Sequence, residues 1–83
     1  MYLSVKLSYY PLKDDYKQPV REVVQRLEAS GLEVYPDRLG TQVFGEFDAV
    51  MDALSAVMKW SFETYGKAVF TANFLEGDRR PRD

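Results

Sequence analysis

Cysteine and histidine are both missing from this chain of 83 residues. Without thiols there is no disulfide and no thiolate zinc site, and without imidazole the commonest metal ligand and the usual general base are gone. Long apolar runs are lacking too, since Lys59 and Glu63 break the most apolar stretch well short of a membrane span. The N-terminus, Met1-Tyr2-Leu3-Ser4-Val5-Lys6, has neither the basic lead nor the continuous apolar core of a signal peptide, which points to a cytoplasmic protein. Positive charge is not in excess. Eleven Lys and Arg against 13 Asp and Glu leave a net charge of -2, a poor match for a nucleic-acid backbone. No glycine-rich loop offers an anion cradle for a nucleotide phosphate.

What the chain does have is apolar material: 46% hydrophobic and 14% aromatic residues are enough for one packed core. A domain this short buries a modest share of its surface, so covering an apolar face with a second copy would help it.

Leu3, Val5, Leu7 and Tyr9 alternate with Ser4, Lys6, Ser8 and Tyr10, which predicts a first strand ended by Pro11. Val20, Val23, Val24 and Leu27 follow helical spacing over Tyr16 to Ser30, with Pro19 in the first turn and Gly31 suited to the C-terminal cap. Leu32 to Tyr35 reads as a short strand, Pro36-Asp37-Arg38 as a turn, and Thr41 to Phe47 as the next strand of a hairpin. Asp48 stands as an N-cap before a second helix whose stripe is Val50, Met51, Leu54, Val57, Met58 and Phe62, with Gly66 as its end. Ala68 to Leu75 completes the pattern as a last strand.

The order β-α-β-β-α-β is the ferredoxin-like split βαβ arrangement, an α+β sandwich with an antiparallel sheet and two helices on one face. Residues 1–77 form the single domain, and 78–83 a charged tail whose plainest reading is a frayed end; Arg79, Arg80 and Arg82 could alternatively pair with acidic groups of a neighbour. The other face of the sheet is left bare. It carries Tyr2, Ser4, Lys6 and Ser8 with Gln42, Phe44 and Glu46, and from the last strand either Phe70 and Phe74 or Thr71 and Asn73. A second copy is its simplest cover.

Within the segment from Leu39 to Val50, Gly40 and Gly45 bracket polar Thr41 and Glu46. Small backbone of this kind allows a ligand or a second subunit to come near. Packing supplies competing explanations. Tyr9 is expected as a half-buried strand aromatic, Trp60 at a helix edge or subunit contact, Asp37 as a turn stabiliser, Thr41 as an ordinary strand residue and Glu46 as a solvated position. Asn73 is the most telling, because asparagine is depleted in strand interiors.

Ser8-Tyr9-Tyr10-Pro11-Leu12 followed by Asp14-Asp15-Tyr16 resembles the end of the first strand in the YkoF-like hydroxymethylpyrimidine and thiamine-binding proteins. Asp37, Thr41, Gly45, Asp48 and Val50 match the spacing of a second segment in that family. Gly40-Thr41, Gly45-Glu46, Asp48, Val50 and Asp78-Arg79-Arg80 look like the related single-domain thiamine-binding proteins, ferredoxin-like units that assemble as dimers or tetramers. YkoF itself carries two such domains in one chain, so a single domain would pair with itself. The resemblance implies a non-enzymatic binder of thiamine or its hydroxymethylpyrimidine moiety, with a pocket at or near a homo-oligomer interface and no catalytic cofactor or metal. Such a ligand asks for an aromatic platform, a few hydrogen-bonding groups and a carboxylate for the thiazolium. Ser8, Thr41 and Asn73 are the implied hydrogen-bonding residues, Tyr10 the ring and Glu46 the countercharge, with Phe44 and Asp37 as alternatives for the last two.

Other functions of this topology fare less well. An acylphosphatase-like enzyme needs an arginine in the loop after the first strand, and Pro11 to Tyr16 contain none. An RNA-binding sheet wants several stacked aromatics in a basic field. The rival that stays open is a structural or protein-interaction module that assembles through its bare sheet face.

Overall fold

The computed structural model describes residues 1–81 as six elements: β1 (Tyr2–Pro11), α1 (Lys17–Ala29), β2 (Glu33–Asp37), β3 (Gly40–Glu46), α2 (Phe47–Tyr65) and β4 (Ala68–Glu76). The strands lie in the order β2-β3-β1-β4, each antiparallel to its neighbours, which is the expected ferredoxin-like α+β sandwich. Strand alternation sends Leu3, Val5 and Leu7 of β1 and Val43 of β3 to one face. There they form a single core with Val23 and Leu27 of α1 and Val50, Leu54 and Val57 of α2. Burying one such aliphatic side chain is worth about 1.5–3 kcal/mol, so this row of nine is what holds both helices to the sheet.

The hairpin between β2 and β3 is tighter than the sequence suggests. Pro36 and Asp37 continue β2 instead of turning, and Pro36 is tolerated because β2 is an edge strand. The turn shrinks to Arg38 and Leu39, with the Asp37 carboxylate accepting from the Arg38 amide at 2.6 Å. Gly40 closes it at φ +146°. A Cβ there would stand 3.0 Å from the Leu7 carbonyl oxygen, and one on Gly45 would stand 2.5 Å from Leu32 Cδ2. The close approach that these two glycines permit is therefore made by the chain's own atoms.

The start of helix α2 lies two residues before the one an Asp48 cap would give. Asp48 is not its N-cap but lies in its first turn, where a carboxylate still suits the positive pole of the helix. Glu46 takes the capping position without a side-chain bond to the helix. The Phe47 amide donates to the Met1 carbonyl at 2.8 Å, and the Met1 amino group donates to Glu46 Oε1 at 2.7 Å. The buried stripe is Val50, Leu54, Val57 and Ser61; Met51 and Phe62 flank it and are exposed, Phe62 resting edge-on against Phe70. Tyr9 is the structural aromatic expected: it stacks on Phe70 with ring centres 4.5 Å apart and accepts from Ser61 Oγ at 2.7 Å. Trp60 lies at a helix edge, covered by the Arg26 guanidinium 3.9 Å from its ring centre.

Pairing of β4 with β1 decides which of its residues look away from the helices. Ser4 is opposite Leu75, Lys6 opposite Asn73 and Ser8 opposite Thr71, so Thr71 and Asn73 share the open face while Phe70, Ala72 and Phe74 look toward the helices. That face is not wholly bare, and residues 77–80 after β4 are not frayed. Ser4 Oγ donates to the Gly77 carbonyl at 2.7 Å and accepts from the Arg79 amide at 2.9 Å. Arg80 grips Asp78 through Nε and Nη2, reaches Glu33 on the far edge strand at 2.5 Å, and lies over the Tyr2 ring. The segment thus crosses the open face, and Ser4 and Phe44 beneath it are only 6% and 3% exposed. These arginine pairs are made within the chain; the pairing considered for Arg82 lies outside the described residues.

Candidate functional site

Strand β1 is ten residues long, and β3 accompanies it only as far as Leu7, which lies opposite Thr41. From Ser8 to Pro11 it pairs with β4 alone. The edge facing away from β4 has no strand beside it, so the sheet has a notch at that corner. Helix α1 closes the notch from one side and the tip of the β2–β3 hairpin from the other. The result is a cavity of about 510 Å³, within the range of roughly 300–1,000 Å³ usual for small-molecule sites.

Its lining mixes apolar Leu7, Val20 and Val23 with the rings of Tyr9, Tyr10 and Tyr16, the hydroxyls of Ser8 and Thr41, and the carboxylate of Asp37. Neither the Ser8 nor the Thr41 hydroxyl is hydrogen-bonded among the described residues, and neither is fully buried. Lys13 and Arg38 also line it, the Lys13 ammonium lying 5.1 Å from the centre of the Tyr65 ring. Flat rings, free hydroxyls and an unpaired strand edge can hold a planar heterocycle by stacking and by backbone-like hydrogen bonds.

A second depression of about 400 Å³ lies on the open face, with Lys6, Gln42, Phe44, Asn73, Leu75 and Arg79 in its lining. The two meet at the hairpin tip, where Asp37, Leu39 and Gly40 border both. Among the described residues no group of three or more Asp and Glu side chains is placed to hold a metal ion, and no helix is long and apolar enough to cross a membrane.

The five residues singled out from sequence do not converge. Ser8, Tyr10 and Thr41 meet in the corner cavity. Asn73 lies on the open face, exposed, beside Lys6. Glu46 is at the opposite end of β3, five residues or about 17 Å from Thr41 at the usual strand rise, with its carboxylate on the Met1 amino group. Thr41 looks toward the helices, as does its partner Leu7, whereas Ser8 and Tyr10, like Glu46 and Asn73, look away, so the corner cavity gathers groups from both faces at the open edge of the sheet.

A sequence profile of the YKOF-related family matches residues 3–77. The chain belongs to that family. Solved structures agree on the fold at low identity. A protein of Streptococcus pneumoniae superposes with a TM-score of 0.86 at 18% identity, covering 95% of this chain and 90% of its own. A hypothetical protein of Methanocaldococcus jannascii gives 0.82 at 16%, covering 96% and 84%. A candidate thiamine biosynthesis/salvage protein of Thermotoga maritima gives 0.80 at 16%, covering 89% and 82%. No curated protein matches the sequence.

In this YKOF-related chain the sequence reading missed Tyr16 and Arg38 at the corner and Lys6, Gln42 and Arg79 on the open face as cavity-lining residues. A signal for the first pair was present. Alternation through Tyr10 makes the first strand longer than either strand of the hairpin, and an overhanging strand must leave an edge open near the loop that follows it.

Proposed function

We propose that the protein is a non-catalytic binder of an aminopyrimidine ligand, thiamine or its hydroxymethylpyrimidine moiety, in the corner cavity. The observation that carries this reading is the unpaired β1 edge from Ser8 to Pro11, framed by three tyrosine rings and two unpartnered hydroxyls. A strand edge offers alternating N–H and C=O groups, and an aminopyrimidine offers an exocyclic donor beside a ring-nitrogen acceptor. Membership of the YKOF-related family and the likeness to the Thermotoga maritima protein support the same ligand class.

Charge places the emphasis on the pyrimidine. Lys13 and Arg38 outnumber Asp37 around the rim, so the cavity is not an anionic slot for a bare cation, and Asp37 in place of distant Glu46 is the one carboxylate in its lining that can face the thiazolium. A homo-oligomer belongs to the same proposal. Leu39, 80% exposed, and Leu75 stand at the edges of the open face, and a second copy resting on them would roof the depression there without filling it.

Calorimetry and thermal shift with thiamine, its phosphates, hydroxymethylpyrimidine and an unrelated aromatic cation test the reading. Thiamine and hydroxymethylpyrimidine should both raise the melting temperature by mass action, and the unrelated cation should not. Absence of binding by both at millimolar concentration would turn the reading to an assembly module. Sedimentation at micromolar concentration tests the oligomer separately.

A further inference from the structure

The register of the three central strands sets Gln42, Lys6 and Asn73 side by side in one row on the open face. Neighbouring strands are about 4.8 Å apart, so two amides flank one ammonium within about 10 Å. This row belongs to the depression of about 400 Å³, which Leu39 and Leu75 supply with exposed apolar surface and Arg79 with a second cation.

Arg79 is held there by its backbone. Ser4, buried under the segment, donates to the Gly77 carbonyl and accepts from the Arg79 amide, fixing residues 77 to 79 across the sheet. The two adjacent arginines are used differently. Arg80 is spent on Asp78, Glu33 and the Tyr2 ring, whereas the Arg79 side chain and Lys6 make no ion pair among the described residues. One carboxylate lines the depression, Asp37, and it already accepts from the Arg38 amide. In a chain of net charge -2, two unpaired cations over one apolar-floored hollow run against the overall field.

We propose that this depression is a second ligand site, distinct from the corner cavity, for a small organic anion: a phosphate monoester or carboxylate carried on a flat apolar ring. Lys6 and Arg79 take the anionic group, the Gln42 and Asn73 amides donate hydrogen bonds beside it, and the ring lies against Leu39 and Leu75. The Ser4 anchor orders the guanidinium-bearing segment before the ligand arrives, which lowers the cost of binding. The inference does not rest on the aminopyrimidine reading, because the row and the anchor lie outside the notch.

Titration of the full chain with phenyl phosphate and with benzoate, followed by amide NMR, tests it and separates the two anion sources. One or both should move the resonances of Lys6, Gln42, Asn73 and Arg79, with inorganic phosphate weaker and benzylamine silent. Lys6→Gln and Arg79→Gln should each weaken binding about tenfold, the loss expected for one charge-assisted hydrogen bond, while Arg21→Gln on the exposed side of α1 should not. Arg79→Gln keeps the backbone contacts to Ser4, so its loss reports the guanidinium. Unmoved resonances at millimolar phenyl phosphate and benzoate, variants that bind as well as wild type, or an equal response to sodium chloride would each overturn the proposal.

Discussion

Ser61 donates its hydroxyl hydrogen to the Tyr9 phenol oxygen at 2.7 Å, joining the last turns of α2 to the overhanging part of β1. Ser61 is fully buried on a helix face that is otherwise aliphatic, and Tyr9 lines the corner cavity. This one bond fixes the ring that the cavity uses as a wall.

Removing it should show. Ser61→Ala takes away the donor and leaves the tyrosine oxygen to what water reaches it, so stability should fall by about 1 kcal/mol in urea unfolding. Tyr9→Phe should cost a comparable amount, since it strands the buried serine unless that hydroxyl turns back to its own helix. The double variant should lose clearly less than the sum of the two.

Gly40 and Gly45 should not respond alike to alanine. Gly40 has φ +146°, and its added Cβ would press on the Leu7 carbonyl oxygen, a backbone atom that cannot step aside. Gly40→Ala should destabilise by about 1–3 kcal/mol, the usual cost of a backbone forced into a rare region. At Gly45 the hard conflict is with the end of the half-buried Leu32 side chain, which can turn aside, and Val50 Cγ2 at 3.3 Å is tight but needs to give only slightly. Gly45→Ala should therefore cost less than Gly40→Ala in the same unfolding assay.

The link between β2 and the C-terminal segment depends on pH. The Tyr35 hydroxyl, and then Arg80, hold the Glu33 carboxyl below the usual carboxylate value, while Glu33 holds the Tyr35 phenol above its own. A carboxyl lowered in the folded state stabilises above the unfolded carboxylate value, and that stability is lost as pH falls through the folded one. Carboxyl NMR should find Glu33 titrating below an ordinary glutamate. Tyr35→Phe and Arg80→Ala should each return it toward the ordinary value. Arg80→Ala should also speed hydrogen exchange at the Arg79 amide, because the segment then loses its tie to Glu33 and keeps its contacts to Ser4 and the Tyr2 carbonyl.

How much of this the sequence discloses follows from the range of each interaction. The period of two in Leu3 to Tyr9 and the helical spacing of Val20 to Leu27 are local, and so the six elements and their order are legible. The orientation of β4 is not, because Phe70 and Phe74 alternate with Thr71 and Asn73 equally well on either face; it takes the pairing of Ser8 with Thr71 to choose. The C-terminal segment reads as loose charge because its anchor, Ser4, lies 73 and 75 residues away from the groups it binds and repeats no period. Asp48 has the chemistry of an N-cap, but β3 runs directly into α2 and leaves it two residues past the cap, in the first turn. Three of five chosen site residues meet because they flank the end of one strand; Glu46 and Asn73 were grouped with them by residue type, which carries no distance.

That separation yields the sharpest test of the corner site. Thr41→Val removes an unpartnered hydroxyl with little change of shape, and if the cavity holds the pyrimidine it should weaken thiamine and hydroxymethylpyrimidine together, about tenfold for one buried hydrogen bond. Asp37→Asn keeps an acceptor for the Arg38 amide but removes charge, so it should weaken thiamine more than the neutral pyrimidine. Glu46→Gln should leave both affinities unchanged, because its carboxylate is about 17 Å along β3 from Thr41 and engaged with the Met1 amino group. Asn73→Ala should likewise spare both, since Asn73 lies on the open face. Calorimetry on the four variants decides it: losses at Glu46 and Asn73 with none at Thr41 would move the aminopyrimidine site out of the notch and onto the sheet.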